Sequence, residues 1–232
     1  MTPDLSLHMA AVSVALIHTV IGVDHYLPFV VLGRARDWSL ARVAAVTAVC
    51  GVGHVVGSIV LGLVGIGLGS AIGSLEWVES VRGELAAWSL IAFGLAYAAW
   101  GVARLRRETV HSHAHVHVDG TRHDHSHDHH REHAHPHLAG PAVSSLFVIF
   151  VLGPCEPLIP VLMAPAFQRD WSLVLEVAGL FAVTTIVTMV AAAVVASAGV
   201  RLAPVSGLER YGHIGAGGVI ASSGLAIQLL GI

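Results

Sequence analysis

The chain has 232 residues, of which 55% are hydrophobic and 12% are charged, and its mean hydropathy is +0.74. Soluble domains carry about a quarter charged residues, so this composition excludes an ordinary soluble domain and indicates an integral membrane protein. The net charge of −3, counted with neutral histidines, gives no basis for a nucleic-acid partner.

Six stretches of the chain are apolar over the roughly 20 residues that a helix needs to cross a bilayer. They cover residues 8–32, 40–68, 85–102, 142–166, 173–200 and 214–232. Long apolar runs of this kind favour helices over alternating strands, so the sequence predicts an all-α polytopic membrane protein with six transmembrane helices. Because no basic region precedes the first stretch, we expect it to be retained rather than cleaved as a signal peptide.

The arginines are distributed unevenly between the predicted loops, and the chain has no lysine. Only Arg82 and Arg169 fall in the second and fourth loops. The other ten lie in or beside the first, third and fifth loops, at Arg34, Arg36, Arg42, Arg104, Arg106, Arg107, Arg122, Arg131, Arg201 and Arg210. The positive-inside rule therefore predicts cytoplasmic odd loops and both termini outside, in a multi-pass protein of the plasma (inner) membrane.

The first stretch carries an acid, Asp24, four residues before Pro28. An ionisable group at the middle of a membrane helix costs roughly 2.5 to 3.5 kcal/mol on insertion scales, so Asp24 is a functional-site candidate. Pro28 is expected to free the Asp24 carbonyl and to unwind the helix there. Unwinding would bring His18 and His25 together with Asp24, and these three are candidate metal ligands. A plain proline kink without a ligand is the alternative.

The second stretch carries Cys50 and His54, which lie four residues apart on one face of a helix. The surrounding segment is rich in glycine, which permits the close approach of another membrane helix. His54 is a candidate metal ligand, and a simple hydrogen bond to a neighbouring helix is the alternative. Cys50 is interpreted as a small packing residue, since free cysteine is readily buried.

The third loop is rich in histidine and poor in apolar residues, so we expect it to be disordered. Neutral imidazole is a good ligand for Zn, Ni, Co and Cu, and this composition predicts metal capture; a merely solvated linker is the alternative. The predicted capture residues are His111, His113, His115, His117, His123, His125, His127, His129, His130, His133, His135 and His137.

The fourth stretch carries a second acid, Glu156, four residues before Pro160. Pro160 is expected to free the carbonyl of Glu156, and Pro157 that of Gly153, which predicts a second unwound segment. Glu156 and the neighbouring Cys155 are candidate metal ligands at this second motif.

An internal repeat relates the two motifs. The pentapeptide at 36–40 recurs unchanged at 169–173, an offset of 133, and Pro28 and Pro160 are offset by 132. Convergence on a good helix cap and an interfacial tryptophan is one explanation, and duplication is the favoured one. Three spans in each copy predict inverted repeats with a site near the bilayer midplane. The predicted organisation is a first repeat at 1–103, a cytoplasmic His-rich loop at 104–140 and a second repeat at 141–232.

These features resemble a known family. The His18 to His25 motif, the Gly-x-Gly-His54 segment, the His-rich loop and the segment 153–160 are similar to those of NicO-type nickel/cobalt permeases and their UreH-like relatives. That family belongs to a superfamily with the lysine and sulfite exporters and the DsbD/CcdA thiol carriers. The resemblance covers nearly the whole chain. It implies transport of a divalent transition metal, with His18, Asp24, His25 and His54 as metal residues. The family pattern has four residues between the histidine and the Asp-His pair, whereas five separate His18 from Asp24 here.

The sequence therefore predicts a transporter rather than an enzyme. Its cargo is expected to be Ni²⁺ or Co²⁺, with Zn²⁺ and Cu as competitors, and no permanent cofactor is expected. Protonation of the acids and imidazoles would offer a way to couple metal movement to protons. The direction of transport and the oligomeric state stay open.

Two other classes of function remain as alternatives. A membrane thiol-redox carrier would use Cys50 and Cys155. An exporter of a small oxyanion such as sulfite would need basic residues inside the membrane, and none of the twelve arginines is predicted to lie within a span.

Overall fold

The computed structural model of the chain describes residues 3–67, 72–107, 113–116, 122–125, 140–202 and 209–230. These residues form eight α-helices and two short strands. The helices are α1 (Pro3–Ile21), α2 (Leu27–Ala35), α3 (Leu40–Gly67), α4 (Ile72–Arg107), α5 (Pro141–Leu152), α6 (Leu158–Phe167), α7 (Trp171–Leu202) and α8 (Gly212–Leu230). The strands β1 (His113–Val116) and β2 (Arg122–His125) form an antiparallel pair between α4 and α5.

Among the residues that the structure describes, four helices are long and apolar enough to cross a membrane, over Asp4–Ile21, Leu40–Ile66, Ser74–Arg107 and Trp171–Leu202. The shorter apolar helices α5 and α6 together cover most of the predicted fourth stretch. Large apolar side chains also remain exposed on outward faces, Val195 at 71% among them, as lipid contact requires. The predicted helical class is confirmed, and the long apolar helices fit a multi-pass membrane protein.

The helix α4 begins well before the predicted span, at Ile72. The prediction that Arg82 lies in a loop was therefore wrong, because Arg82 and the neighbouring acids Glu76, Glu79 and Glu84 are all helical. Glu79 and Arg82 stand one turn apart on α4 and form an ion pair. Charges that neutralise each other in this way let the helix continue through a segment whose composition resembles a loop.

Both acid-and-proline motifs interrupt a helix, as predicted. Between α1 and α2 the chain makes a single 3₁₀ turn at Val23–His25, and Pro28 lies in the first turn of α2. Between α5 and α6 residues 153–157 are not helical, and Pro160 lies in the first turn of α6.

The freed carbonyls at the second interruption follow the prediction only in part. Gly153, whose carbonyl Pro157 was expected to free, accepts a hydrogen bond from Arg82 at 3.2 Å. The prediction of a free carbonyl at Glu156 was wrong, because that oxygen accepts the Ile159 N–H at 3.2 Å in a turn.

Packing between helices follows the order of the two halves. The most extensive contacts join α4 to α8 and α3 to α7, and α1 packs on α7 as α3 packs on α5. Exchanging α1–α4 with α5–α8 leaves the first two contacts unchanged and converts the other two into each other. Glycine permits the closest approach: a Cβ at Gly94 would lie 2.4 Å from the backbone nitrogen of Ala221 on α8.

The repeated pentapeptide does not occupy equivalent positions in its two copies. The helix α3 begins after Ser39, whose hydroxyl accepts the Arg42 N–H at 3.2 Å. The helix α7 begins after Asp170, whose carboxylate accepts the Leu173 N–H at 3.0 Å. The helix starts are therefore 131 residues apart, although the repeated letters are 133 apart. The two halves therefore resemble each other structurally in their interrupted helices rather than in the repeated pentapeptide.

Arginines gather where α2, α4 and α7 end. Arg36 donates to the Tyr97 hydroxyl at 3.1 Å, Arg201 donates to the carbonyl of Trp38, and Arg104 lies over the ring of Trp100. The His-rich loop joins α4 to α5 from this same end of α4.

Candidate metal centre

Three imidazoles meet at the first helix interruption. His18 lies in the last turn of α1, His25 in the 3₁₀ turn and His54 at the middle of α3. The ring centroids of His18 and His25 are 4.7 Å apart, and those of His25 and His54 are 5.1 Å apart, both edge to face. His25 and His54 are only 4% and 3% exposed. The structure thus brings together three predicted ligands from two separate segments of the chain.

Backbone carbonyls orient two of these rings. His25 donates from Nδ1 to the carbonyl of Gly22 at 2.9 Å, and His54 donates from Nδ1 to that of Phe150 at 3.3 Å. A carbonyl only accepts, so Nδ1 carries a proton in both rings, and the Nε2 lone pair is available whenever the ring is neutral. A ring held through one nitrogen with the other open is the usual arrangement of a metal-ligating histidine.

The open nitrogens are buried. The Nε2 atoms of His18, His25 and His54 have no hydrogen-bond partner among the residues that the structure describes. Buried side-chain polar atoms are nearly always partnered, because leaving one unsatisfied costs about 1–3 kcal/mol. Three such atoms in one cluster therefore indicate a site for a ligand that accepts electron pairs.

Cys155 joins this cluster from the second interruption. One ring nitrogen each of His18 and His54 and the Cys155 sulfur lie within 4.8 Å of one another, and Cys155 is fully buried. Metal bonds of about 2.0–2.3 Å mean that two ligand atoms of one ion lie at most about 4.6 Å apart. The upper separation of 4.8 Å is close to this limit, so the three atoms form a candidate site for a single metal ion.

Gly22 makes room for the His25 ring. A Cβ at Gly22 would lie 2.4 Å from Nδ1 of His25, closer than real Cβ contacts come, and 3.1 Å from the Asp24 carboxylate. The glycine is needed here for the close approach of the ring to its own backbone.

Asp24 contacts the imidazoles as a partner of His25. Its carboxylate oxygen lies 3.4 Å from Nδ1 of His25, and its side chain is 26% exposed. It shares the Nδ1 proton with the Gly22 carbonyl and adds negative charge beside the ring. The geometry supports Asp24 as an outer partner that orients His25 more than as a metal ligand itself.

Glu156 stands apart from the imidazoles. Its side chain is exposed and lines a cavity of about 620 Å³ that His18, His25 and His54 also line. The two acids of the repeat are therefore unequal, since Asp24 touches a ring of the cluster and Glu156 faces the cavity.

Cys50 lies away from the metal cluster. It packs in the core cluster that contains Phe29 and Met189, whereas Cys155 packs with Leu158 and Phe181. Both cysteines are free and fully buried, and the packing role of Cys50 stays a prediction. The separation into two core clusters does not favour a thiol-redox pair.

Sequence reasoning missed the pair of Glu79 and Arg82. The expectation that no arginine lies within a span was wrong, because Arg82 lies within the candidate span Ser74–Arg107. Its guanidinium donates to Glu79 and Ser58 and to two backbone carbonyls, so it is already occupied by protein acceptors. An arginine engaged in this way gives no support to the oxyanion alternative. The spacing of an acid and a base three residues apart was the signal that could have found the pair.

The loop histidines are only partly described. His113 and His115 lie in β1, and His123 and His125 in β2, where the chain pairs rather than running irregularly. The other predicted capture residues lie outside the described residues, namely His111, His117, His127, His129, His130, His133, His135 and His137.

The donor set has a clear chemical preference. Imidazole nitrogen and thiolate sulfur are ligands for divalent transition metals, whereas Mg²⁺ and Ca²⁺ take oxygen ligands. The cluster therefore fits nickel, cobalt, zinc or copper better than the hard cations.

Comparison of the chain with protein-family models, curated proteins and solved structures finds no match in any of the three.

Proposed function

We propose that the chain is a membrane transporter of a divalent transition metal, with nickel or cobalt as the leading cargo. The observation that carries this proposal is the cluster of three imidazoles whose buried Nε2 atoms have no partner among the described residues, beside the thiol of Cys155. The cluster joins two interrupted helices in a chain whose long helices have the length and composition of membrane spans.

The arrangement of the ligands supports transport over permanent storage. His18 and His25 flank the first interruption, His54 lies on a continuous helix and Cys155 lies in the second interruption. Ligands taken from segments that are not one rigid helix can separate, and a carrier must release its cargo. The cavity of about 620 Å³ that meets the imidazoles gives the ion a path to the cluster.

The proposal includes six membrane crossings in two inverted halves. It counts α1–α2 and α5–α6 as interrupted crossings, beside α3, α4, α7 and α8. The same order of elements in both halves and the packing pattern that survives their exchange support this count. Interrupted helices near the midplane of inverted repeats are a common design of transporter sites.

The orientation proposed is both termini outside and the His-rich loop in the cytoplasm of a plasma-membrane protein. The arginines at the ends of α2, α4 and α7 support it, because basic residues are enriched on the cytoplasmic side. The histidines of the loop would then gather metal on that side.

The test is metal flux into liposomes that contain the purified full chain and an enclosed metal-sensitive dye. Ni²⁺, Co²⁺, Zn²⁺ and Cu²⁺ are each supplied to the wild type and to His54→Ala. The matched control is His8→Ala, because His8 lies on α1 but contacts the exposed Glu176 instead of the cluster. We expect flux of nickel or cobalt in the wild type and control, and at least a tenfold loss in His54→Ala. Equal flux in all three proteins would refute the proposal.

A further inference from the structure

The ion pair of Glu79 and Arg82 is a costly feature that the proposed metal ligands do not use. Glu79 is fully buried and the Arg82 side chain is 16% exposed, and both lie within the candidate span Ser74–Arg107. Taking two charges out of water carries a desolvation penalty that their attraction offsets only when further hydrogen bonds satisfy them. What those hydrogen bonds hold is therefore informative.

Arg82 holds the end of α5. Its Nη2 atom donates to the carbonyl of Val151 at 2.9 Å and to that of Gly153 at 3.2 Å. The last carbonyls of a helix lack partners within the helix, and the Gly153 N–H that follows α5 donates to Ile149 and Phe150 rather than to Val151. A planar guanidinium with several N–H groups can hold two such carbonyls at once.

Glu79 holds the next residues of the same interruption. Its Oε2 atom accepts the backbone N–H of Cys155 at 3.1 Å, while its other carboxylate oxygen pairs with Arg82. The two side chains thus fix the backbone on both sides of Pro154, from one helix and with opposite charges.

The neighbouring helices leave space for this contact. A Cβ at Gly57 of α3 would lie 3.0 Å from Nη2 of Arg82 and 3.0 Å from the Val151 carbonyl. A Cβ at Gly83 of α4 would lie 3.0 Å from the ring of Pro154. Gly57 and Gly83 therefore leave the space that the ion pair and the Pro154 ring occupy.

We propose that Glu79 and Arg82 are positioning residues that hold the second helix interruption so that the Cys155 thiol faces His18 and His54. This role rests on the proposed function, because it concerns the same ligand cluster. Without the pair, His25 keeps its own support at Gly22, and the sulfur ligand is lost. The pair then determines whether the cargo meets a nitrogen-only site or a nitrogen and sulfur site.

The experiment measures sulfur ligation directly in the purified full chain loaded with Co²⁺. Cobalt bound to a thiolate gives a charge-transfer absorption in the near ultraviolet, which imidazole ligands do not give. Cobalt held by the His-rich loop adds nothing to this band, since the only cysteines in the chain are Cys50 and Cys155. We expect the band in the wild type and in Cys50→Ser, and its loss in Cys155→Ser.

Three variants of graded severity test the pair, each with helical circular dichroism and a monodisperse elution profile as the folding readout. Glu79→Gln removes the carboxylate charge, and Arg82→Lys keeps the positive charge with a smaller donor group. Gly57→Ala crowds the Arg82 guanidinium and leaves both charges in place. Each is expected to lower the band at least twofold per bound cobalt, with Arg82→Lys the mildest. The control Glu76→Gln, an exposed acid on the same helix, should leave the band unchanged.

Two outcomes would overturn the role in distinguishable ways. A wild-type band that persists at full strength in the folded variants overturns the positioning role and leaves the proposed function standing. A wild type that binds no cobalt beyond the loop, and so shows no band, overturns the proposed function together with it. Should Glu79→Gln and Arg82→Lys not fold, an unchanged band in Gly57→Ala overturns the role by itself.

Discussion

The two helix interruptions share a backbone design and differ in the side chains that support them. At the first, between α1 and α2, the chain supports itself: His25 donates to the carbonyl of Gly22 and sits beside Asp24. At the second, between α5 and α6, the support comes from Arg82 and Glu79 on another helix. The first interruption therefore leaves imidazole nitrogens open for a ligand. At the second, the guanidinium of Arg82 binds the backbone carbonyls.

This difference shows how one backbone device can serve two purposes. Side chains bind backbone carbonyls at both interruptions: the His25 ring donates to the carbonyl of Gly22, and Arg82 donates to those of Val151 and Gly153. Where the donor is a ring nitrogen, the opposite nitrogen is left open. Where the donor is a buried guanidinium, the segment is held in place, and a neighbouring backbone atom, here that of Cys155, is held with it. The predictions below test whether the halves differ in this way.

The largest expected effect is on stability, at the second interruption. Arg82→Ala leaves Glu79 buried without its partner and two carbonyls without a donor, which should cost about 3–5 kcal/mol of unfolding free energy. The measurement is reversible unfolding in mixed micelles. Glu76→Ala, an exposed acid on α4, should change the unfolding free energy by less than about 0.5 kcal/mol. A loss under 1 kcal/mol for Arg82→Ala would mean that the pair does not support the interruption.

The next effect is on metal affinity, at the first interruption. His54→Ala removes one of the three imidazoles and should weaken binding of nickel about 100-fold, which corresponds to about 2.7 kcal/mol. Calorimetry on a chain in which the loop histidines are replaced by glutamine measures this without competition. His213→Ala, whose ring packs against Tyr97 and Trp100, is the control and should bind normally. Equal affinities would remove His54 from the site.

A smaller effect is expected from crowding the His25 ring. Gly22→Ala places a methyl group 2.4 Å from Nδ1 of His25, so the ring must move away from the other two. Displacing the support of a ligand typically costs 10–100-fold in metal affinity, and we expect a loss in that range. Gly179→Ala on α7, where a Cβ meets nothing within 4 Å, is the matched control. The same calorimetric titration distinguishes the two, and normal affinity in Gly22→Ala would contradict the packing described.

The smallest effect separates the two acids of the repeat. Asp24→Asn removes the charge beside His25 and should weaken nickel binding about tenfold, as loss of an outer partner does. Glu156→Gln should change the affinity less than twofold, because Glu156 faces the cavity and does not touch the imidazoles. A reversed order would show that Glu156, rather than Asp24, supports the metal.

The sequence predicts the helices and their interruptions well, because both depend on local chemistry. Apolar runs give the helices, and Pro28, Pro157 and Pro160 give the interruptions. His18, His25 and His54 could be singled out because polar rings in apolar runs are conspicuous. Their meeting could not be derived from spacing alone, since it depends on how α1 and α3 each pack against α7.

Two features escaped sequence analysis for physical reasons. Glu79 and Arg82 look like the charges of a loop until the tertiary structure shows that each satisfies the other and a distant backbone. The repeated pentapeptide misled in the opposite direction, since Ser39 caps one helix and Asp170 the other. Several residue types can cap a helix, so equal letters do not fix equal positions.

The most direct test of the metal centre is X-ray absorption at the nickel edge, on the purified chain in which the twelve loop histidines are replaced by glutamine. The predicted result is one bound nickel with imidazole nitrogens and a single sulfur in its inner shell, and loss of the sulfur in Cys155→Ser. A chain that retains no nickel, or a nickel surrounded only by oxygen, would contradict a metal centre between the two helix interruptions.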